Sequence, residues 1–107
     1  MPEYYDKLET RDPKERERSL LAALPGQIAQ AKRKAPGWAR ILSDVDPAAV
    51  TSRAALARLP VTRKSDLAEL QKVERPLGGL NATPLAQLGK VFVSPGPIYD
   101  PEGRGRD

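Results

Sequence analysis

Three features of the 107-residue sequence predict a mainly α-helical fold, several short helices ending in one strand. A capping side chain is followed by proline at Asp12-Pro13, Asp46-Pro47 and Thr83-Pro84, which is the local chemistry of a helix start. Between these points apolar residues recur at helical spacing. Only Lys90-Val91-Phe92-Val93-Ser94 gathers β-branched and aromatic residues into a run of strand length.

The first helix begins at Asp12, whose carboxylate can accept from the free amides of the first turn. Pro13 lacks an N–H that would go unused there, and Glu15 stands where a capping box returns to the Asp12 amide. Leu20, Leu21, Leu24, Ile28 and Ala31 form one apolar stripe behind it. Pro25-Gly26 predicts a kink or a break, because proline removes one backbone bond and crowds the carbonyl four residues earlier. The helix then resumes toward Lys34. Ala35-Pro36-Gly37 ends it, and a short helix from Trp38 to Leu42 follows with Trp38, Ile41 and Leu42 on one side. A lone tryptophan on such a helix belongs to the core. Asp44 and Asp46 stand two residues apart, and with Pro47 next the role of Asp46 is a cap, not a metal ligand. Thr51 or Ser52 caps a segment from Arg53 to Leu59, with Ala55, Leu56 and Leu59 inward, and Pro60 stops it. Thr62 caps a helix from Arg63 to Gln71 whose apolar side is Leu67 and Leu70. Asp66 and Glu69 fall on its solvated face. Tyr4 and Tyr5 are expected to pack the chain start onto the body.

The texture changes after Lys72, so the chain divides into a helical region, residues 1–74, and a loop, strand and tail, residues 75–107. Arg75-Pro76-Leu77-Gly78-Gly79-Leu80 is a loop, and Thr83-Pro84 can cap one turn through Leu88. The strand from Lys90 to Ser94 is apolar on both faces, the pattern of a buried sheet. Beyond it the tail is rich in proline, glycine and charge, with only Ile98 and Tyr99 able to join a core. A lone strand leaves its N–H and C=O groups unpaired. It is therefore either the first strand of a sheet continued beyond Asp107, or it pairs with its own copy in a dimer.

Composition excludes more than it assigns. There is no Cys and no His, which removes disulfides, thiolate or imidazole metal sites, Ser-His-Asp triads and Cys-His pairs. No apolar run approaches the ~18 residues of a membrane span. Fourteen alanines and thirteen leucines against five aromatics make a thin core of small side chains. Lys plus Arg is 18 and Asp plus Glu is 14, a net charge of +4. Residues 32–75 carry ten basic and five acidic groups, including Lys32-Arg33-Lys34 and Arg63-Lys64. Only Trp38 accompanies that excess, so it is read as solvated helix faces and not as a nucleic-acid surface. The start Met-Pro-Glu-Tyr-Tyr lacks the basic and apolar regions of a signal peptide, which with the absence of Cys points to the cytoplasm.

The order of elements resembles a known family. The stretch Leu59-Pro60-Val61-Thr62-Arg63-Lys64-Ser65-Asp66-Leu67, then Pro76-Leu77-Gly78-Gly79-Leu80, then a strand, is similar to the N-terminal portion of the phenylacetate–CoA ligase family of adenylate-forming, AMP-binding enzymes. There the text runs Leu-Pro-x-Thr-x-Lys-x-Asp-Leu, a Pro-x-Gly-rich turn, and a short strand leading into a phosphate loop. The likeness covers nearly all of this chain and the first quarter of a complete family member. It implies the N-terminal piece of a larger α/β enzyme that activates a carboxylic acid with ATP to an acyl-adenylate and passes the acyl group to CoA. ATP, Mg²⁺ and CoA are then cofactors of the complete enzyme. This chain holds none of them alone, carries no catalytic or metal-binding residue, is inactive by itself, and has the rest of the ligase polypeptide as its partner. The family loop Ser-Ser-Gly-Thr-Thr-Gly-Lys-Pro falls on Ser94-Pro95-Gly96-Pro97-Ile98-Tyr99-Asp100-Pro101. Ser94 and Gly96 are the nucleotide-binding residues this implies. The departures are large: Pro95 and Pro97 remove two amide donors, Pro97 and Ile98 replace two threonine hydroxyls, and Asp100 reverses the charge of the family lysine. The alternative is a stand-alone helical module that binds a protein through its uncovered apolar stripe.

Overall fold

Residues 3–105 are described by the computed structural model. The first helix, α1, runs from Pro13 to Lys34. Asp12 caps it, its carboxylate accepting from the Lys14 and Glu15 amides at 3.1 and 3.2 Å. Glu15 turns away from the cap and pairs with Arg18 one turn on, so the capping box is replaced by an i, i+3 ion pair. Pro25 neither breaks nor ends the helix. It costs one backbone bond inside a 22-residue helix, and the flanking Leu and Ala residues carry the rest. The basic run Lys32-Arg33-Lys34 occupies the last turn of α1, where positive charge meets the negative end of the helix dipole. Lys32 also reaches across to donate to the Val45 carbonyl at 2.6 Å.

Helix α2, Pro36–Ile41, folds back against α1. Trp38 is half-buried on it. A 3-10 turn at Pro47–Ala49 is capped by Asp46, which accepts from the Ala48 amide, and this turn packs on α1. Helix α3, Arg53–Ala57, takes its cap from Ser52 and not from Thr51. Ala55 is buried there, but Leu56 is 42% exposed instead of facing inward. Helix α4, Lys64–Val73, begins with Arg63 in the cap position and no side-chain cap. Thr62 lies one residue too early for its hydroxyl to reach the first free amides. The buried positions of α4 are Ala68 and Gln71, while Leu67 and Leu70 are half-buried. The second 3-10 turn, Leu85–Gln87, likewise lacks a side-chain cap. Thr83 lends only its carbonyl, to the Asn81 side chain. Tyr5, expected to pack, is 90% exposed.

The tail corrects the sequence most. The strand β1, Lys90–Ser94, has a partner within the chain, β2, Ile98–Glu102, and the two form an antiparallel hairpin. Val91 faces Pro101, Val93 faces Tyr99, and Ser94 faces Ile98. The three-residue loop Pro95-Gly96-Pro97 closes it, with Gly96 at φ 142° where a side chain would be strained. One proline and two acids disguised β2, yet Pro101 sits at a position that needs no N–H within the hairpin. The hairpin is not a buried strand pair: Val91, Phe92 and Val93 are 46, 52 and 63% exposed.

The core is small: Ile28, Ala35, Val50, Ala55, Ala68, Leu77 and Ile98. Leu77 is its largest fully buried side chain and Ile98 brings β2 into it. Gly37 lies face to face with the Gly78-Gly79 loop, donating its amide to the Gly79 carbonyl at 2.7 Å. A Cβ at Gly37 would stand 2.5 Å from the Gly78 oxygen, so only glycine allows this approach. The folded chain exposes 8309 Å², whereas a compact monomer of its mass exposes about 5,900 Å². Its radius of gyration is 16.1 Å, against about 13 Å for a compact chain of this length. No helix among the described residues is long and apolar enough to cross a membrane.

Candidate functional site

The hairpin turn and the helix beside it form the one place where the sequence-derived candidates meet other chemistry. Ser94 ends β1, half-buried, and pairs with Ile98 across the turn. Gly96 is exposed at the apex. Pro95 and Pro97 on either side have no amide hydrogen, so the loop itself offers a single N–H, that of Gly96. The side chain of Lys64, from the first turn of α4, runs along this apex, its Cε 3.5 Å from where a Gly96 Cβ would stand. Ser94, Gly96 and the Lys64 side chain are thus brought to one turn by two elements thirty residues apart in sequence. Ile98, Tyr99, Asp100 and Pro101 lie outside the turn, in β2. Asp100 pairs with Phe92 across the ladder. Lys64 brings a cationic side chain to the turn from α4, a different element.

Gln71 holds β2 to α4. It is 3% exposed, the one buried polar side chain of the described core. Its Nε2 donates to the Tyr99 carbonyl and its Oε1 accepts from the Tyr99 amide, both at 2.9 Å. The side-chain amide thereby does for β2 what a neighbouring strand would do. Beside it opens a cleft of about 230 Å³ lined by Ala68, Gln71, Lys72, Arg75, Pro76, Pro97 and Tyr99. Sequence reasoning missed both Lys64 and Gln71. Lys64 stood inside the Leu59-to-Leu67 motif with no partner to give it meaning. Gln71 carried one legible signal, a polar residue at i+3 from Ala68 and i+4 from Leu67 on the side of α4 that turned out to be buried. Arg40 and Glu74 form an ion pair at 2.6 Å linking α2 to the end of α4, which is exposed and structural in character.

One 22-residue helix and three shorter ones closed by an antiparallel hairpin with a glycine turn match the fold of the N-terminal part of an adenylate-forming acid–CoA ligase. The likeness is to 2-hydroxyisobutyryl-CoA ligase, solved in the postadenylation state with R3-HIB-AMP and with 2-HIB-AMP. Over 97% of this chain the TM-score is 0.82 in both cases, at 25% and 26% sequence identity. The chain spans 24% of the length of that ligase. No family model and no curated protein matches the sequence.

Proposed function

We propose that this chain is the N-terminal segment of an ATP-dependent acid–CoA ligase of the phenylacetate–CoA ligase kind. The observation that carries this is the likeness over 97% of the chain to a ligase bound to its acyl-adenylates. The surplus of about 2,400 Å² over a compact monomer agrees with it, being three times the ~800 Å² each partner contributes to an ordinary interface. Such a surface belongs to a domain that is completed by more polypeptide.

Within that enzyme the hairpin turn would face the nucleotide. ATP supplies the AMP group that turns a carboxylate into a reactive acyl-adenylate, and Mg²⁺ and CoA belong to the complete enzyme. The donor set at the turn fits phosphate oxygens: one hydroxyl at Ser94, one amide at Gly96, one ammonium at Lys64. The amide and hydroxyl orient the anion, and Lys64 offsets its charge. Lys64 thus replaces the cation that the loop lacks. The cytoplasm, where ATP and CoA are held, is the place for such an enzyme.

Acid-dependent ATP–pyrophosphate exchange tests this, using the protein translated from the reading frame continued past codon 107. Exchange is expected from that protein, with phenylacetate and 2-hydroxyisobutyrate among the acids offered, and none from residues 1–107 alone. Lys64→Ala should raise the KM for ATP about tenfold, the usual worth of a charge-assisted hydrogen bond, and leave the KM for the acid alone. A continued protein that exchanges with no carboxylic acid would overturn the proposal. A reading frame that stops at Asp107 would favour the helical interaction module instead.

A further inference from the structure

The two edges of the hairpin differ. Because both main-chain groups of Tyr99 bond to Gln71, they point away from β1. Tyr99 and its partner Val93 are therefore a non-hydrogen-bonded pair. Alternation makes Val91 and Pro101 the next such pair. These four residues are the ones whose main chain faces outward, two on each edge. On the β2 edge, Gln71 occupies Tyr99, and Pro101 has no N–H to give. That edge retains no free donor within β2. On the β1 edge, the N–H and C=O of Val91 and Val93 have no partner among the described residues. Val91 and Val93 are 46% and 63% exposed there.

We propose that β1 is the edge at which the sheet grows, and that a strand of the polypeptide completing the ligase adds to it through the main chain of Val91 and Val93. The proposal rests on the function proposed above for its occupant. An open edge of β-branched residues is a template for strand addition, and it is normally covered, charged or broken when it is to stay free. Here the β2 edge carries such protection in Gln71 and Pro101, and the β1 edge carries only the charge of Lys90 at its start. The surplus surface of the chain, and the three-quarters of the similar ligase that lies outside the match, supply an occupant from the same polypeptide. Growth on one side only also leaves α4 its contact with β2, so the Lys64–Gly96 arrangement survives completion of the sheet.

Residue-resolved amide exchange on residues 1–107 and on the continued protein tests the assignment. In the shorter chain the Val91 and Val93 amides should exchange freely, while Phe92, bonded within the hairpin, is protected. In the continued protein both valine amides should slow by about a hundredfold or more, as paired strand amides do. Val93→Pro removes an N–H that the hairpin does not use, at an edge position where the fixed φ of proline is tolerated, and should leave the hairpin of the shorter chain intact while lowering the midpoint of the continued protein. Valine amides that stay open in the continued protein would overturn the proposal. So would protection in the shorter chain that grows with its concentration, since that assigns the edge to a second copy. A continued protein whose valine amides are protected but which shows no pyrophosphate exchange keeps the edge assignment and removes the ligase activity.

Discussion

Gly37 and Gly26 should respond to alanine with opposite signs, although each lies in a helix. Alanine favours a helix over glycine by about 1 kcal/mol at an interior position. At Gly26, in the middle of α1, a Cβ meets nothing within 4 Å, so Gly26→Ala should gain about 0.5–1 kcal/mol. At Gly37 the same Cβ would lie 2.5 Å from the Gly78 oxygen and 3.0 Å from the Gly79 carbonyl. Both are backbone atoms, so α2 or the loop must move. Overpacking of this kind costs about 1–3 kcal/mol. The movement also strains the 2.7 Å bond from the Gly37 amide to the Gly79 carbonyl, worth about 0.5–1.5 kcal/mol. Less the helix gain, Gly37→Ala should cost about 1–3 kcal/mol, a fall of roughly 5–20 °C in the melting midpoint at this chain length. Thermal melting followed by far-ultraviolet circular dichroism reads both variants. If Gly37→Ala melts with or above Gly26→Ala, α2 does not pack on the Gly78-Gly79 loop and this part of the fold is misplaced.

Gln71→Leu keeps the volume but leaves the Tyr99 amide and carbonyl unpaired, which should cost about 1–3 kcal/mol in urea unfolding. Gln71→Glu keeps the acceptor but loses the donor and buries a carboxylate against the Tyr99 carbonyl, and should cost at least as much; equal stability of all three would mean that β2 is held by Ile98 alone. Asp12→Ala should lower stability by about 0.5–2 kcal/mol through loss of the α1 cap, with Arg104→Ala as an indifferent control; equal melting of the pair would place the helix start elsewhere.

Helix starts were legible because capping acts within a few residues. Asp12, Asp46 and Ser52 each carry the acceptor that the next free amides need, and each is used as a cap. Where the cap depends on a shift of one residue, as at Thr62 and Thr83, the local pattern misled, because packing chose the frame. The candidate site was half legible. Ser94 and Gly96 were singled out through a resemblance to a phosphate loop, and only the fold shows the Lys64 side chain beside Gly96. The hairpin partner was hidden for a physical reason: strand propensity penalises Asp100, Pro101 and Glu102, yet an edge strand tolerates proline and charge on its outward side.

By itself the sequence determined the local starts and stops, the mainly helical class, the absence of cysteine and histidine chemistry, and the ligase-like order of Leu59 to Leu80 before a strand. These depend on side chains and main chain within one or two turns of each other. The tertiary structure alone decided that Pro25 lies inside one helix, that β1 closes on β2, that Gly37 must be glycine, that Gln71 holds β2, and that the Lys64 side chain lies beside Gly96. Each of these rests on atoms brought together from distant parts of the chain. Gln71, for instance, satisfies Tyr99 twenty-eight positions away, and no local propensity carries the energy of that contact.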